Sequence, residues 1–406
     1  MLGRVLILNQ NHKCEFSPRA FFPSGDIIHP LGTLARISRT PLPIFTVAGN
    51  FLVLCSLLII VFFGQIVLFC SKSEAGTAAK PRIVDNSEPG VWDADHSKRV
   101  ELVPDLIIGK EDGDPTSIFG RIYDIAVGPE GDIYVLDAGY GHVQRFDSSG
   151  VYKQTIGGEG EGPGEFSNPT AVNVDDFGCL WVASRDRVGL FDQRGIPIND
   201  FRHGILSNLV RSIRVIREDG IYLSCFEMYD QLIIHKYDFE GAKVLSFCDS
   251  YAKGRDIDVR IENTFAGGAL DVRDSLIYFT QAMPYEVRMF SLEGELLAIL
   301  RRKNDFMRTP MEETNSDGTV SLIAGAYSFS IVVLNDGTFV NTVIVPASAE
   351  EDTDTILDFY DNEGRLLLTK RIDGLLAIKC TDDHSRLYAI DTEQYPRVVR
   401  YRIDVR

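Results

Sequence analysis

The feature that most narrows the possible fold is a repeat. Gly131-Asp-Ile-Tyr-Val-Leu-Asp137 returns as Gly178-Cys-Leu-Trp-Val-Ala-Ser184, and Val143-Gln-Arg-Phe-Asp-Ser-Ser-Gly150 returns as Val188-Gly-Leu-Phe-Asp-Gln-Arg-Gly195. A period in the forties of residues that holds several short strands is the signature of a propeller blade. The glycine-rich run 157–169 lies between the two copies.

Alternating apolar patterns carry the count to six units. The first takes 122–127, 132–137, 142–147 and 151–156; the second takes 171–174, 179–184, 187–192 and 197–201. The third uses 212–216, 221–225, 232–238 and 243–247, and the fourth uses 269–272, 276–280, 286–291 and 296–300. The fifth, the least regular, uses 329–334, 339–345, 355–360 and 366–369. The sixth has only 377–381, 386–391 and 397–404 before the chain stops. Residues 100–108 supply its missing outer strand, because Leu106-Ile-Ile-Gly109 followed by Phe119 mirrors Gln154-Thr-Ile-Gly157 followed by Phe166. The expected fold is therefore all-β: a six-bladed β-propeller of four-stranded antiparallel blades over 98–406, closed by an N-terminal strand that completes the last blade. Closure of this kind removes an exposed sheet edge.

Ahead of the ring the chain divides into a tail (1–43), an apolar segment (44–69) and an expected linker (70–97). The apolar segment has no ionisable group apart from Cys55 and exceeds the roughly 20 residues that span a bilayer as a helix. Arg36 and Arg39 just before it keep that end in the cytoplasm by the positive-inside rule and place the ring across the membrane. The tail is then cytoplasmic, or reflects a start assigned too far upstream. Three fates stay open: an uncleaved anchor, lipidation at Cys70 in Val67-Leu-Phe-Cys70, or cleavage near Thr77-Ala-Ala79. The expected location is the bacterial cell envelope, outside the cytoplasm and held at the membrane.

Of 406 residues, 41 are Lys or Arg and 58 Asp or Glu. From residue 71 onward the balance is 36 basic against 56 acidic, or −20. Such a surface repels phosphate backbones, so nucleic acid is excluded as an expected partner. Cys179, Cys225, Cys248 and Cys380 fall in or beside expected strands with no Cys-x-x-Cys pair, which reads as buried free thiols.

Gly160-Glu-Gly-Pro-Gly-Glu-Phe-x-x-Pro169, Val135-x-Asp137 and Val143-x-x-Phe-Asp147 resemble the NHL-repeat, six-bladed β-propeller family of bacterial extracytoplasmic proteins. The resemblance covers roughly 121–195 and implies a ring scaffold that binds proteins or small ligands, with no defined active site.

In an up-and-down blade the a–b and c–d turns fall on one face of the ring, and the b–c and d–a connections on the other. The first set is short throughout; the second holds 249–264, 301–326 and 346–354. Long loops on a rigid scaffold are where binding usually resides. The candidate ligand-binding residues on that face are Arg121, Tyr140, His142, Arg185, Asp186, Arg202, Glu227, Tyr229, Tyr285, Tyr395 and Arg397, with His203 beside them. A structural role, packing loops or pairing locally, is the competing expectation for each. No catalytic set, metal site or cofactor is expected: the histidines are scattered, and Asp112-x-Asp114 and Glu351-Asp-x-Asp354 do not fit an EF-hand loop. The run 157–164 leads into a strand and reads as a turn between blades; Arg301-Arg-Lys303 reads as a solvated cluster.

The leading functional expectation is a non-catalytic recognition scaffold for a protein, peptide or glycan. The alternative is a metal-dependent lactonase-like hydrolase or lyase with acidic ligands in the central channel. A third is a structural ring in an envelope assembly, with Phe306, Met307 and Met311 as an apolar loop patch.

Overall fold

The computed structural model describes residues 80–406 except 97, 206–208, 252, 255–267, 305, 308–310, 315–319, 324 and 347–352. Blade 1 consists of Ile122–Val127, Ile133–Asp137, His142–Phe146 and Tyr152–Ile156, hydrogen-bonded in that order. Blades 2 to 5 follow the same a-b-c-d order over 171–202, 212–249, 269–302 and 327–373. Blade 6 is Leu376–Thr381, Leu387–Asp391 and Arg397–Val405, and its outer strand is Val100–Ile108 from the other end of the propeller. The a strands neighbour one another around the axis. Six blades, six expected.

Each blade is apolar on both faces because both are covered by neighbours. Six buried apolar clusters result, one at each junction between blades. A repeated turn sets the spacing between blades. In the c–d turns, Asp147, Asp192, Asp238 and Asp361 accept backbone N–H groups two and four residues on, at 2.8–3.1 Å, and Ser291 does the same less tightly. The glycine that closes each turn (Gly150, Gly195, Gly241, Gly294, Gly364) has φ between +78° and +86°. Each presses against an apolar side chain of the preceding blade's outer strand: Leu106, Ile156, Phe201, Phe247 and Leu300 in turn. A side chain there would meet both a strained backbone and a filled space.

Two segments depart from the expected layout. Within the expected linker, β1 (Arg82–Asn86) pairs in parallel with the outer strand of blade 4, running from Arg82 opposite Ala298 to Asn86 opposite Arg302. A short helix, α1 (Val91–Asp95), then crosses the outer strand of blade 5 before the chain enters blade 6 as β2 (Val100–Ile108). The Asn86 side chain donates to Gly364 O at 3.0 Å and accepts from Leu366 N at 2.8 Å, and Trp92 packs on the blade 5–6 core. Residues 82–95 are thus a strap over the outer edges of blades 4 and 5. Their polar sequence, Val-Asp-Asn-Ser-Glu-Pro-Gly, hid this, because an edge strand shows no strong alternation. The d–a connection after blade 4 also carries a hairpin, Met311–Thr314 with Val320–Ile323.

The segment 44–69, the tail and Cys70 lie outside the described residues. So do most of 249–264 and 346–354 and part of 301–326. The connection from blade 5 to blade 6 is short, Gly374 and Leu375, so length is not shared by every loop of that face.

Deleting residues 98–110 removes β2 and uncovers the blade 6–1 junction. The deletion is expected to unfold the ring cooperatively at lower temperature, by one transition in calorimetry; melting like that of the intact chain would contradict the closure.

Candidate functional site

The axis is built from strand a. Blades 2 to 4 place a polar residue at matching register, Asn173 opposite Trp181, Arg214 opposite Tyr222 and Asp271 opposite Tyr278, and blade 1 places Asp124 further along, opposite Leu136. Each reaches the next blade. Asp124 accepts from Val172 N at 2.9 Å, Asn173 from Val215 N at 3.0 Å, and Asp271 from Val333 N at 2.9 Å. Arg214 donates to Asp271 at 2.7 Å. Blade 5 continues the belt through Ser330 Oγ, which donates to Ile378 O at 2.5 Å. Lys379 of blade 6 closes it, with Nζ 3.9 Å from Asp124.

Burial raises the Asp124 pKa, opposed by Lys379. Burial also holds Lys379 below the ordinary lysine range; Asp124 opposes this, and the Arg211 and Arg214 charges add to it. Arg214 stays raised against burial because Asp271 is bonded to it. Arg211, which precedes strand a of blade 3, lies within electrostatic reach of Tyr123 on blade 1 and Tyr327 on blade 5. Residues from alternate blades meet this way only near the axis.

The expected binding residues divide into two groups. Arg121, Tyr140, Arg185 and Tyr229 are exposed, with Tyr140 at 53% and Tyr229 at 80%. Arg121 lies over the Tyr123 ring at 5.5 Å, and Tyr140 stacks on His142 at 5.8 Å. Gly139 and Gly120 approach backbone to backbone under them, and Asp137 locks the corner by accepting from Gly120, Arg121, Gly139 and Tyr140 N–H. Blade 1 therefore presents a rigid Arg-Tyr-His corner beside the channel mouth. Arg202 and Asp186 pair with each other at 2.7 Å on the surface, and Arg397 pairs with Asp391 at 2.8 Å while lying over Tyr395.

Three residues turn inward instead. Glu227 is buried in blade 3, bonded to Lys243 at 2.9 Å and near His235. His203 is buried, accepting from Ile205 N, and its carbonyl accepts the Tyr237 hydroxyl at 2.7 Å. Tyr285 donates to Asp358 at 2.7 Å and meets the Tyr360 hydroxyl at 2.7 Å. Loop position alone did not distinguish these from exposed neighbours.

The Asp358 network corrects the solvated reading of Arg301-Arg-Lys303 at its middle residue, while Arg301 and Lys303 stay exposed. Arg302 ends the outer strand of blade 4 with its side chain fully buried, and its NH1 donates to Asp358 at 2.5 Å. NH2 bonds Glu88 of the strap and Thr369 Oγ1, and Phe306 lies 5.0 Å from the guanidinium. Burial raises Asp358, while Arg302, Tyr285 and Thr369 oppose this as donors. Phe306 and Met307 pack against this junction's core and are not a free apolar patch; the Met311 side chain lies outside the described residues. A cavity of about 600 Å³ sits beside the network under the strap, lined by Glu88, Pro89, Asp93, Phe306, Thr369 and Arg371 among others.

The glycine-rich run is a turn between blades, as expected. Glu165 accepts Gly162 N at 2.9 Å and fills the concavity, and Phe166 is a core residue pressed on Gly157. The thiols of Cys179, Cys225, Cys248 and Cys380 are free; burial pushes Cys248 up to about 11. Asp114 caps a 3₁₀ turn through Thr116 N, and Asp354 faces Arg371 at 3.6 Å. Among the described residues no three His, Cys, Asp or Glu side chains come together.

The fold and this belt define a six-bladed β-propeller with a charged lumen. A family model described as DUF5128, 6-bladed beta-propeller, matches residues 116–182. The ring is similar to a member of the DUF4221 family from Bacteroides vulgatus, with a TM-score of 0.50 at 10% identity over 76% of this chain and 98% of that one. It is also similar to a Bacteroides fragilis protein described as a candidate exported protein, with a TM-score of 0.53 at 12% identity over 79% and 99%. No curated protein matches the chain.

Two predictions follow from the buried groups. Arg302→Met leaves Asp358 buried without its cation and is expected to cost roughly 3–5 kcal/mol in urea denaturation; a loss below about 1 kcal/mol would contradict the network. His203 and His235 are held below the ordinary histidine pKa by burial. The unfolded chain therefore binds more protons than the folded one near pH 6, and stability falls as pH drops through about 6.5. His235→Gln is expected to flatten that fall by up to about 1.4 kcal/mol per pH unit, and identical slopes would count against the assignment.

Proposed function

We propose that the chain is a membrane-tethered, extracytoplasmic recognition propeller that binds a protein, peptide or glycan across its channel-mouth face without transforming it. The observation that carries this reading is the state of the axis. Asp124 and Asp271 are each already bonded to a backbone amide of the next blade and have a cation beside them. Catalytic acids, bases and metal ligands need lone pairs aimed at a reacting atom, whereas these are aimed at the scaffold. The blade 1 corner offers the opposite: exposed, rigid Arg and Tyr side chains of the kind that anchor recognition surfaces.

The location rests on the apolar segment 44–69, on Arg36 and Arg39 before it, and on the NHL-type motif at 160–169. The description of the Bacteroides fragilis protein as exported agrees with it. The tether is either the uncleaved segment or a lipid on Cys70.

A second reading, a metal-dependent hydrolase or lyase, is favoured by one fact: Asp124 and Asp271 do approach the axis from blades 1 and 4. It would require both carboxylates to leave their present partners. Mass spectrometry of the dialysed protein separates the readings, since a stoichiometric divalent ion would support the enzyme.

Crosslinking of the full chain in native membranes is expected to capture one predominant partner. Arg121→Ala and Tyr140→Ala together are expected to weaken that capture by roughly tenfold or more while leaving the melting temperature unchanged. Undiminished capture would remove the face from consideration.

A further inference from the structure

The cavity of about 600 Å³ under the strap is walled by side chains that the scaffold does not use up. Small-molecule sites run from roughly 300 to 1,000 Å³, so its size fits one. The roof is pinned at both ends. Asn86 bonds Gly364 O and Leu366 N on one side, and on the other Gly90 lies so close to Leu367 O that a Cβ there would stand 2.5 Å from it. Residues 87–89 bridge these anchors, and the space beneath them is set by the scaffold.

Two opposite charges border this space without neutralising each other. Asp93, half-buried on α1, accepts from Thr369 N at 3.2 Å through Oδ2; among the described residues no other hydrogen bond reaches its carboxylate and no cation pairs with it. Arg371 lies two residues beyond Thr369 on the same strand, roughly 7 Å along it, and lines the same cavity. Its nearest carboxylate is Asp354 at 3.6 Å, too far for a hydrogen bond, and its side chain makes none among the described residues. A guanidinium carries five donors, so the Arg371 head is open to an anion, and its 60% exposure marks the side from which a ligand enters. Glu88, the other acid of the wall, is already bonded to Arg302, and Thr369 Oγ1 donates to Asp358. The remaining wall residues, Pro89, Phe306 and Ile356, are apolar.

We propose that this cavity binds a small zwitterion, a free amino acid or short peptide with an apolar side chain, its ammonium on Asp93 and its carboxylate on Arg371. One open carboxylate and one open guanidinium match a ligand that is neutral overall yet carries both charges. A simple amine or acid leaves one of the two unanswered, and a neutral sugar leaves both. Pro89, Phe306 and Ile356 take the apolar side chain out of water. The free amino acid and the short peptide share this chemistry and differ in the distance between their charges. The site lies at the outer edges of blades 4 and 5, on different residues from the blade 1 corner, and does not depend on recognition at the channel mouth.

The test uses the full-length chain in detergent. Calorimetric titration with L-leucine and with L-leucyl-L-leucine is expected to show saturable binding of at least one, with a raised melting temperature. Leucinamide lacks the carboxylate, 4-methylvalerate lacks the ammonium and D-glucose lacks both; each is expected to bind roughly tenfold more weakly or worse. Tighter binding of leucine marks the free amino acid, and tighter binding of the dipeptide marks the peptide. Asp93→Asn and Arg371→Gln are each expected to weaken binding of the zwitterion roughly ten- to a hundredfold. Asp93→Asn is expected to spare the residual binding of 4-methylvalerate, and Arg371→Gln that of leucinamide, a split that a loosened strap would not produce. No binding of either zwitterion, equal binding of a single-charge analogue or of glucose, or unchanged affinity in either variant would each overturn the proposal. The Arg121→Ala and Tyr140→Ala chain is expected to keep leucine binding, so a failure of the strap site and a failure of the recognition face are read separately.

Discussion

The structure depends on one pairing across the chain's length: β2 against Arg397–Val405. Register runs from Val100 opposite Val405 to Ile108 opposite Val398, and Arg99 and Arg406 exchange backbone hydrogen bonds at 2.7 and 2.9 Å beyond it. A propeller blade has no core of its own, because each buries its faces only against its neighbours. An open ring would leave blade 1 without the partner that supplies Tyr388, Ile390 and Val398 to its core. Closure also brings Leu106 and Ile108 under Gly150, so the turn that sets blade spacing is completed at this junction by the strand that closes it.

Only in a closed ring can the axial belt exist. Lys379 on blade 6 and Asp124 on blade 1 are neighbours solely because the last blade meets the first. The inner edges of the a strands present backbone donors that no further strand covers, and side chains of the adjacent blade satisfy them. Asp124, Asn173 and Asp271 each do so for the following blade. Acceptors at that position bring carboxylates into a site shielded from water, and the cations answer them. Scaffolding thus accounts for Arg214, bonded to Asp271, and for Lys379, which stands 3.9 Å from Asp124.

How much of this was legible in the sequence follows from which forces write themselves locally. Strands and turns did: Asp-x-x-Gly at 147–150, 192–195, 238–241 and 361–364 announces both the Asx turn and its left-handed glycine. Closure was legible because 106–109 copies 154–157. The axial belt was also written, as one polar residue between apolar ones in Tyr-Asp124-Ile, Val-Asn173-Val, Ile-Arg214-Val and Leu-Asp271-Val. It reads as ordinary strand alternation until the strands are known to be innermost. Burial of loop residues was not legible. Tyr285 and Tyr229 occupy similar b–c loops, yet one hydrogen-bonds Asp358 in the core and the other stands in solvent, which only the neighbouring blade decides.

The strap shows how an edge can change what a neighbouring core tolerates. An outer strand ordinarily leaves donors and acceptors open to solvent, and water reaches the side chains beside it. At blade 4 that edge is occupied by β1, and Glu88 follows directly onto Arg302. The Arg302–Asp358 pair can therefore be fully enclosed at this junction, whereas Arg371 and Asp354 stay partly exposed, with their nearest atoms 3.6 Å apart. A buried pair attracts strongly but has lost its water, so its net worth depends on further donors and acceptors around it. Thr369, Tyr285 and Glu88 are those groups, and Glu88 comes from the N-terminal strap. The polarity that disguised residues 82–95 as a linker is what fits them to cover a charged seam.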